Sequence, residues 1–129
     1  MAVGITKEDV AGQARVAMEA ARDKKAEDVI AFDVSSYLGI TDFFIVATGN
    51  NERHIAAIAD SVEEALRETF HLKPLGREGR AQGAWTLLDY GDFVIHLFRP
   101  DAREEYRLDK LWNEAPRLAP IERGTRQVV

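Results

Sequence analysis

Ala84-Trp85-Thr86-Leu87-Leu88-Asp89-Tyr90-Gly91-Asp92-Phe93-Val94-Ile95-His96-Leu97-Phe98-Arg99 is the stretch that decides the fold. Two apolar runs, Ala84 to Tyr90 and Phe93 to Arg99, flank Gly91-Asp92. A two-residue turn containing glycine between such runs predicts an antiparallel hairpin. Pairing Tyr90 with Phe93 sets Leu88 opposite Ile95 and Thr86 opposite Leu97, and strand alternation puts these six on one side. The other side carries Trp85, Leu87 and Asp89 opposite Phe98, His96 and Val94. The first set suits a core. The second mixes Trp and Phe with Asp and His, the composition of a partly wet contact surface. It equally fits a sheet face under a helix, with Trp85 in a core and Asp89 and His96 at its rim. A slip of one residue would exchange the two sides.

Upstream, Asp28 to Val34 and Asp42 to Thr48 read as strands whose near-continuous apolar runs expect cover on both faces. Ser35 to Gly39 reads as the turn between them. Asn51 is placed to cap a helix that reaches Phe70, with Ile55, Ile58, Ala59, Val62, Leu66 and Phe70 as its apolar stripe. An earlier helix, Thr6 to about Lys25, opens on Thr6 and Asp9 in capping-box spacing and carries the small stripe Val10, Ala14, Ala17, Ala21. Leu72 to Leu75 reads as a short strand that Pro74 confines to an edge. Gly76, Gly79 and Gly83, set among charged residues, mark a mobile polar loop.

Downstream, Pro100 stops the hairpin, and Asp101 with Glu104 starts a last helix whose apolar edge is Leu108, Leu111 and Trp112. The order αββαβββα predicts an α/β (α+β) fold, a single mixed β-sheet with packed helices. One domain is expected over residues 1–113, followed by a flexible tail over 114–129 with two prolines and scattered arginines.

The 129 residues suit one domain, and folding at that size buries roughly two thirds of the unfolded surface. Apolar residues make up 46% and charged residues 30%, ordinary for a soluble globular chain. No apolar run approaches the ~18 residues of a membrane span. The start, MAVGITKEDV, lacks the pattern of a secretory signal. Without cysteine there is no disulfide, thiolate metal site or cysteine nucleophile. The net charge of −5 disfavours a mainly phosphate-reading protein and suits a basic protein partner.

Little in the chain assembles into a catalytic group. His54, His71 and His96 have no metal-ligand spacing. Asp89 and Asp92 flank a turn and are read as stabilising it. Asp33 and Asp42, beside apolar strands, need partners, for which Thr41, Ser36 and strand-end amides are at hand. Thr48-Gly49-Asn50-Asn51 joins a strand to a helix, where amides can hold an anion, but no phosphate-loop motif follows. Ser35, Ser36 and Ser61 lie in no nucleophile elbow. No metal and no cofactor are expected.

Ile40-Thr41-Asp42-Phe43-Phe44-Ile45-Val46-Ala47-Thr48-Gly49, then Arg53-His54, then Ile58-Ala59-Asp60, resembles the signature of the ribosomal silencing factor (Iojap-like) family. Pro74-Leu75-Gly76, Glu78-Gly79, Trp85, Asp89-Tyr90-Gly91-Asp92, the strand holding His96, and Tyr106 with Leu108 to Trp112 continue the pattern in order. The resemblance spans about Asp28 to Trp112 and leaves out the tail. Asn51 stands where many members have serine, and either residue caps a helix.

The resemblance implies a fold similar to that of nucleotidyltransferases and a cytoplasmic protein of bacteria, with organelle relatives that take part in large-subunit assembly. It implies binding to the large ribosomal subunit through the ribosomal protein known as L-fourteen. Bulk then blocks small-subunit joining when nutrients are scarce. It implies homodimers in isolated members. Set on these residues, Trp85 is the expected anchor, Leu87, His96 and Phe98 widen its apolar patch, and Asp89 meets a basic group. Tyr106 and Lys110 add to the contact from the last helix. A nucleotidyltransferase would need a Gly-Ser loop and an Asp-x-Asp pair, whereas Gly49 precedes Asn50 and the chain has no Asp-x-Asp. An RNA-binding module would use Arg77, Arg80, Arg117, Arg123 and Arg126, with direct nucleic-acid contact secondary to protein contact.

Overall fold

The structure is a computed structural model that describes residues 5–121. The hairpin forms as expected: β4 (Trp85–Asp89) pairs antiparallel with β5 (Phe93–Phe98), with Trp85 opposite Phe98, Leu87 opposite His96 and Asp89 opposite Val94. The Tyr90 N–H donates to the Phe93 carbonyl at 3.0 Å, and Gly91 takes the left-handed conformation (φ +81°) that the tight turn requires. β5 runs parallel to β2 (Phe43–Thr48), which pairs antiparallel with β1 (Glu27–Asp33). The sheet is therefore mixed.

One face of this sheet is closed by α1 (Lys7–Asp23) and α3 (Glu52–Phe70). The alanine stripe of α1 lets it lie close to Ile58, Val62 and Leu66 of α3. Both helices cover Ile45, Leu88, Ile95 and Leu97 of the sheet. Thr6 and Asp9 form the reciprocal capping box at 3.1 Å each. Asn51 Oδ1 accepts from the His54 N–H at 2.8 Å. The His54 ring accepts from the Asn50 N–H at Nδ1 (2.9 Å), and its Nε2 lies 2.7 Å from the Lys24 carbonyl, to which it donates. One imidazole thus ties the end of α1 to the start of α3.

Three expectations need correction. Leu72 to Leu75 is not a strand; the expected loop supplies it instead, as β3 (Gly76–Arg80), paired antiparallel along β4. Ladder hydrogen bonds need only backbone, so a Gly- and charge-rich edge strand shows no apolar alternation in its sequence. Arg77 secures it by reaching Asp60 (2.9 Å) and Glu63 (3.0 Å) of α3. The last helix is broken: α4 (Pro100–Tyr106) ends at Arg107, which is left-handed (φ +54°), and α5 (Leu108–Leu111) follows as a separate single turn. Finally, residues 115–118 lie against the domain rather than in a free tail. Ala115 is buried, the Asp33 N–H donates to the Pro116 carbonyl at 2.7 Å, and Arg117–Leu118 adds β6 to the open edge of β1. The sheet order is β3-β4-β5-β2-β1-β6. Arg123 and Arg126 lie outside the described residues.

Smaller differences follow the same logic. Ser35–Leu38 is a single helical turn, α2, ended by Gly39 at φ +76°. Asp33 is held by Lys7 (2.7 Å) and by the Ser35 N–H and hydroxyl rather than by Thr41 or Ser36. Those contacts keep its carboxyl below the ordinary range although burial pulls the other way.

α3 ends on His71, a non-glycine residue in the left-handed region (φ +59°). Its N–H donates to Arg67, and that of Leu72 donates to Leu66. His71→Gly relieves this conformation, and thermal unfolding should shift upward by about 2–5 °C, corresponding to about 0.5–1 kcal/mol. Gly49→Ala should do the reverse, because a Cβ there would lie 2.8 Å from Ile55 Cγ1.

Candidate partner-binding face

On the side of the sheet away from α1 and α3, alternation presents Trp85, Leu87 and Asp89 of β4 beside Val94, His96 and Phe98 of β5. The two ends of this face fare differently. At the Phe98 end, α4 and the returning chain form a second core, in which Phe98 packs with Phe32, Val34, Val46, Ala84, Ala102 and Ala115. Trp85 is half-buried at its margin. Its ring lies 4.9 Å from Phe98 and 4.7 Å from Tyr106, with the Arg80 guanidinium 5.3 Å from its centre.

At the other end no helix among the described residues covers the sheet. A groove of about 420 Å³ is bounded by the turn before β2, the start of β3 and the open parts of β4 and β5. Leu38, Ile40, Leu75, Leu87 and Val94 line it, Phe44, Thr41 and His96 lie deeper, and Glu78, Arg80 and Asp89 stand around it. Ile40 is 85% exposed and Leu75 77% exposed, too much for either to be core. An apolar concavity of this kind with a charged rim is a candidate contact site.

The packed-core reading therefore applies at the Phe98 end, while the other half of the face lies open. Trp85, Leu87 and Asp89 are half-buried, and Tyr106 is exposed beside Trp85. Phe98 (1% exposed) and His96 (5%) are buried and present almost no surface, so Phe98 does not widen the patch here. Lys110 is exposed but lines a different, polar pocket with Thr48, Arg103 and Asp109. Asp89 Oδ1 accepts the Gly91 N–H at 2.8 Å, so the carboxylate also braces the hairpin turn. Ile40 and Leu75 are the residues that pattern reading missed. Their signal was an apolar side chain at a turn, one after Gly39 and one after Pro74, outside any periodic stripe.

His96 is the polar residue on which the face turns. Trp85 Nε1–H donates to its Nδ1 at 3.2 Å, so the neutral ring carries its proton on Nε2. That Nε2 is buried and has no hydrogen-bond partner, and neither has the buried Thr41 hydroxyl. Such atoms cost about 1–3 kcal/mol each in the folded protein. Burial first, and the nearby positive charge of Arg80 second, push the imidazole down to about 4. Among the described residues no group of three or more His, Asp or Glu side chains could hold a metal ion. No helix among them is long and apolar enough to cross a membrane.

A family model described as ribosomal silencing factor during starvation matches residues 7–128. A ribosomal silencing factor of Halalkalibacterium halodurans is 41% identical over 103 residues, covering 79% of this chain and 86% of the relative. One from Bacillus subtilis is 36% identical over 114 residues, covering 88% and 94%. A crystal structure of a Chromobacterium violaceum protein superposes with a TM-score of 0.74 at 36% identity, covering 79% of this chain and 84% of that one.

The burial of His96 sets a pH dependence. The unfolded imidazole titrates near 6.5 and the folded one near 4, so between these values the unfolded chain binds more protons. This contribution is complete above pH 6.5 and falls away as pH drops toward 4, by up to about 3 kcal/mol. Chemical denaturation across that range should show His96→Phe with a flatter pH profile than the parent; parallel profiles would refute it.

Proposed function

The chain belongs to the ribosomal silencing factor family, and from that premise we propose that it represses translation by occupying the large ribosomal subunit and excluding the small one. The contact runs through the ribosomal protein known as L-fourteen and uses the open groove beside Trp85. The observation that carries this reading is the exposed apolar groove on a sheet whose other face is sealed. Glu78 and Asp89 at its margin, on a chain of net charge −5, suit a basic protein partner. A domain of this size is roughly 30 Å across, too bulky for a close subunit contact to accommodate. No bond is made or broken, so potency depends on affinity and abundance. Free protein would cover the same groove with a second copy as a homodimer. Bacterial cytoplasm is where such a factor meets its target.

The family's regulatory name supports a non-catalytic role, and so does the start of α3. The Asn50 amide before the helix is taken by the His54 ring, and the His54 amide in its first turn by Asn51 Oδ1. The Glu52 carboxylate lies against Gly83 nearby and would repel a phosphate. Nucleic-acid contact is secondary, given the acidic balance.

Co-sedimentation with separated subunits at increasing salt tests the reading. Wild-type protein should pellet with large subunits alone and reduce their joining to small ones. Ile40→Asp and Leu75→Asp should weaken pelleting at least about tenfold, with stability within about 0.5 kcal/mol because both positions are exposed. Trp85→Ala should weaken it too. Unchanged binding by all three folded variants would remove the site assignment, and absence of wild-type pelleting would remove the function.

A further inference from the structure

The groove is apolar, yet two of its deeper residues hold polar atoms without partners: Nε2 of His96 and Oγ1 of Thr41. Both residues are more than nine-tenths buried. The state of His96 is fixed by its neighbour, because Trp85 donates to Nδ1 and leaves Nε2 as a donor with nothing to meet. The Phe44 ring, edge-on with its centre 4.9 Å from that of the imidazole, is a weaker acceptor than any oxygen. Charge restricts what can approach. Glu78 and Asp89 disfavour a carboxylate, and Arg80 is engaged by Glu78 at 2.9 Å and by the Trp85 ring.

We propose that the partner inserts a neutral oxygen acceptor into this groove, a main-chain carbonyl, carboxamide or hydroxyl on an apolar segment with a basic neighbour, and that His96 Nε2–H donates to it. The occupant is a segment of the basic ribosomal protein, so this rests on the functional reading above and specifies its chemistry. The Thr41 hydroxyl, further along the groove toward the start of β2, is a separate point of contact for the same segment. Ile40, Leu75 and Leu87 close over the apolar part of the segment and exclude water, which strengthens a hydrogen bond made beneath them. Trp85 contributes by holding the imidazole in the tautomer that keeps its proton on Nε2. An apolar surface alone would tolerate many partners; a fixed donor inside it rejects a segment that brings no acceptor.

Affinity for purified large subunits, measured beside thermal stability, tests this. His96→Asn keeps an acceptor for Trp85 near the Nδ1 position and removes the Nε2 donor. His96→Gln places an amide donor near the Nε2 position and gives up the Trp85 acceptor. Thr41→Val removes the hydroxyl at constant shape. The expected result is about tenfold weaker binding for His96→Asn, several-fold weaker for Thr41→Val, and His96→Gln within about threefold of wild type. Affinity should then not track stability, since Thr41→Val leaves no unpaired atom and unfolds no earlier than the parent. Wild-type affinity in both His96→Asn and Thr41→Val would overturn the acceptor while leaving the function intact, provided Ile40→Asp still weakens binding. Failure of the wild type to bind large subunits would overturn both. If His96→Asn does not fold, wild-type protein labelled with ¹⁵N-histidine decides. Its Nε2–H resonance should move downfield on addition of the isolated ribosomal protein, and an unmoved resonance refutes the bond.

Discussion

The two-residue turn at Gly91-Asp92 is the constraint on which the rest depends. A left-handed glycine closes it, and the Tyr90 to Phe93 hydrogen bond locks the register. That register assigns every side chain of β4 and β5 to one face or the other. Leu88, Ile95 and Leu97 go to the sealed side, where α1 and α3 bury them. Trp85, Leu87, Asp89 and His96 go to the other. A slip of one residue would send an aspartate and a histidine under two helices.

The outer face has too little helix to cover it. Arg107 in a left-handed conformation ends α4 after two turns, and α5 is a single turn. These pieces, with Trp112 and the returning chain, seal the sheet from Phe32 to Phe98 and stop there. A run of rings marks the boundary: Tyr37 on Trp112, Trp112 on Phe44, Phe44 on His96, His96 on Trp85 and Trp85 on Tyr106. Beyond it the sheet lies open. These ring contacts form the groove's inner wall.

The same sheet carries a feature that binds anions in other α/β proteins, a strand leading through a glycine into a helix start. Here the fold spends that feature on itself. His54 occupies the Asn50 amide and anchors the end of α1, and Gly49 lets Ile55 close in. The junction between strand and helix is thus a structural joint.

Much of this was legible in the sequence. The hairpin, its register, the two apolar strands before it and the capped helix between follow from turn chemistry and periodicity, which act over a few residues. The motifs around Ile40 to Gly49 and Asp89 to Asp92 pointed to the family. β3, β6 and the break at Arg107 were not legible. Edge pairing is made by backbone atoms, so Gly76–Arg80 and Arg117–Leu118 carry no apolar signature, and they form strands because β4 and β1 offer them free edges. Nor was it legible which half of the Trp85 face stays open. The local pattern fixes which side of a strand a residue points to. Whether something lies above it depends on where a distant helix stops, and that was decided only when α4 packed on Phe98 and left Leu87 and Val94 uncovered.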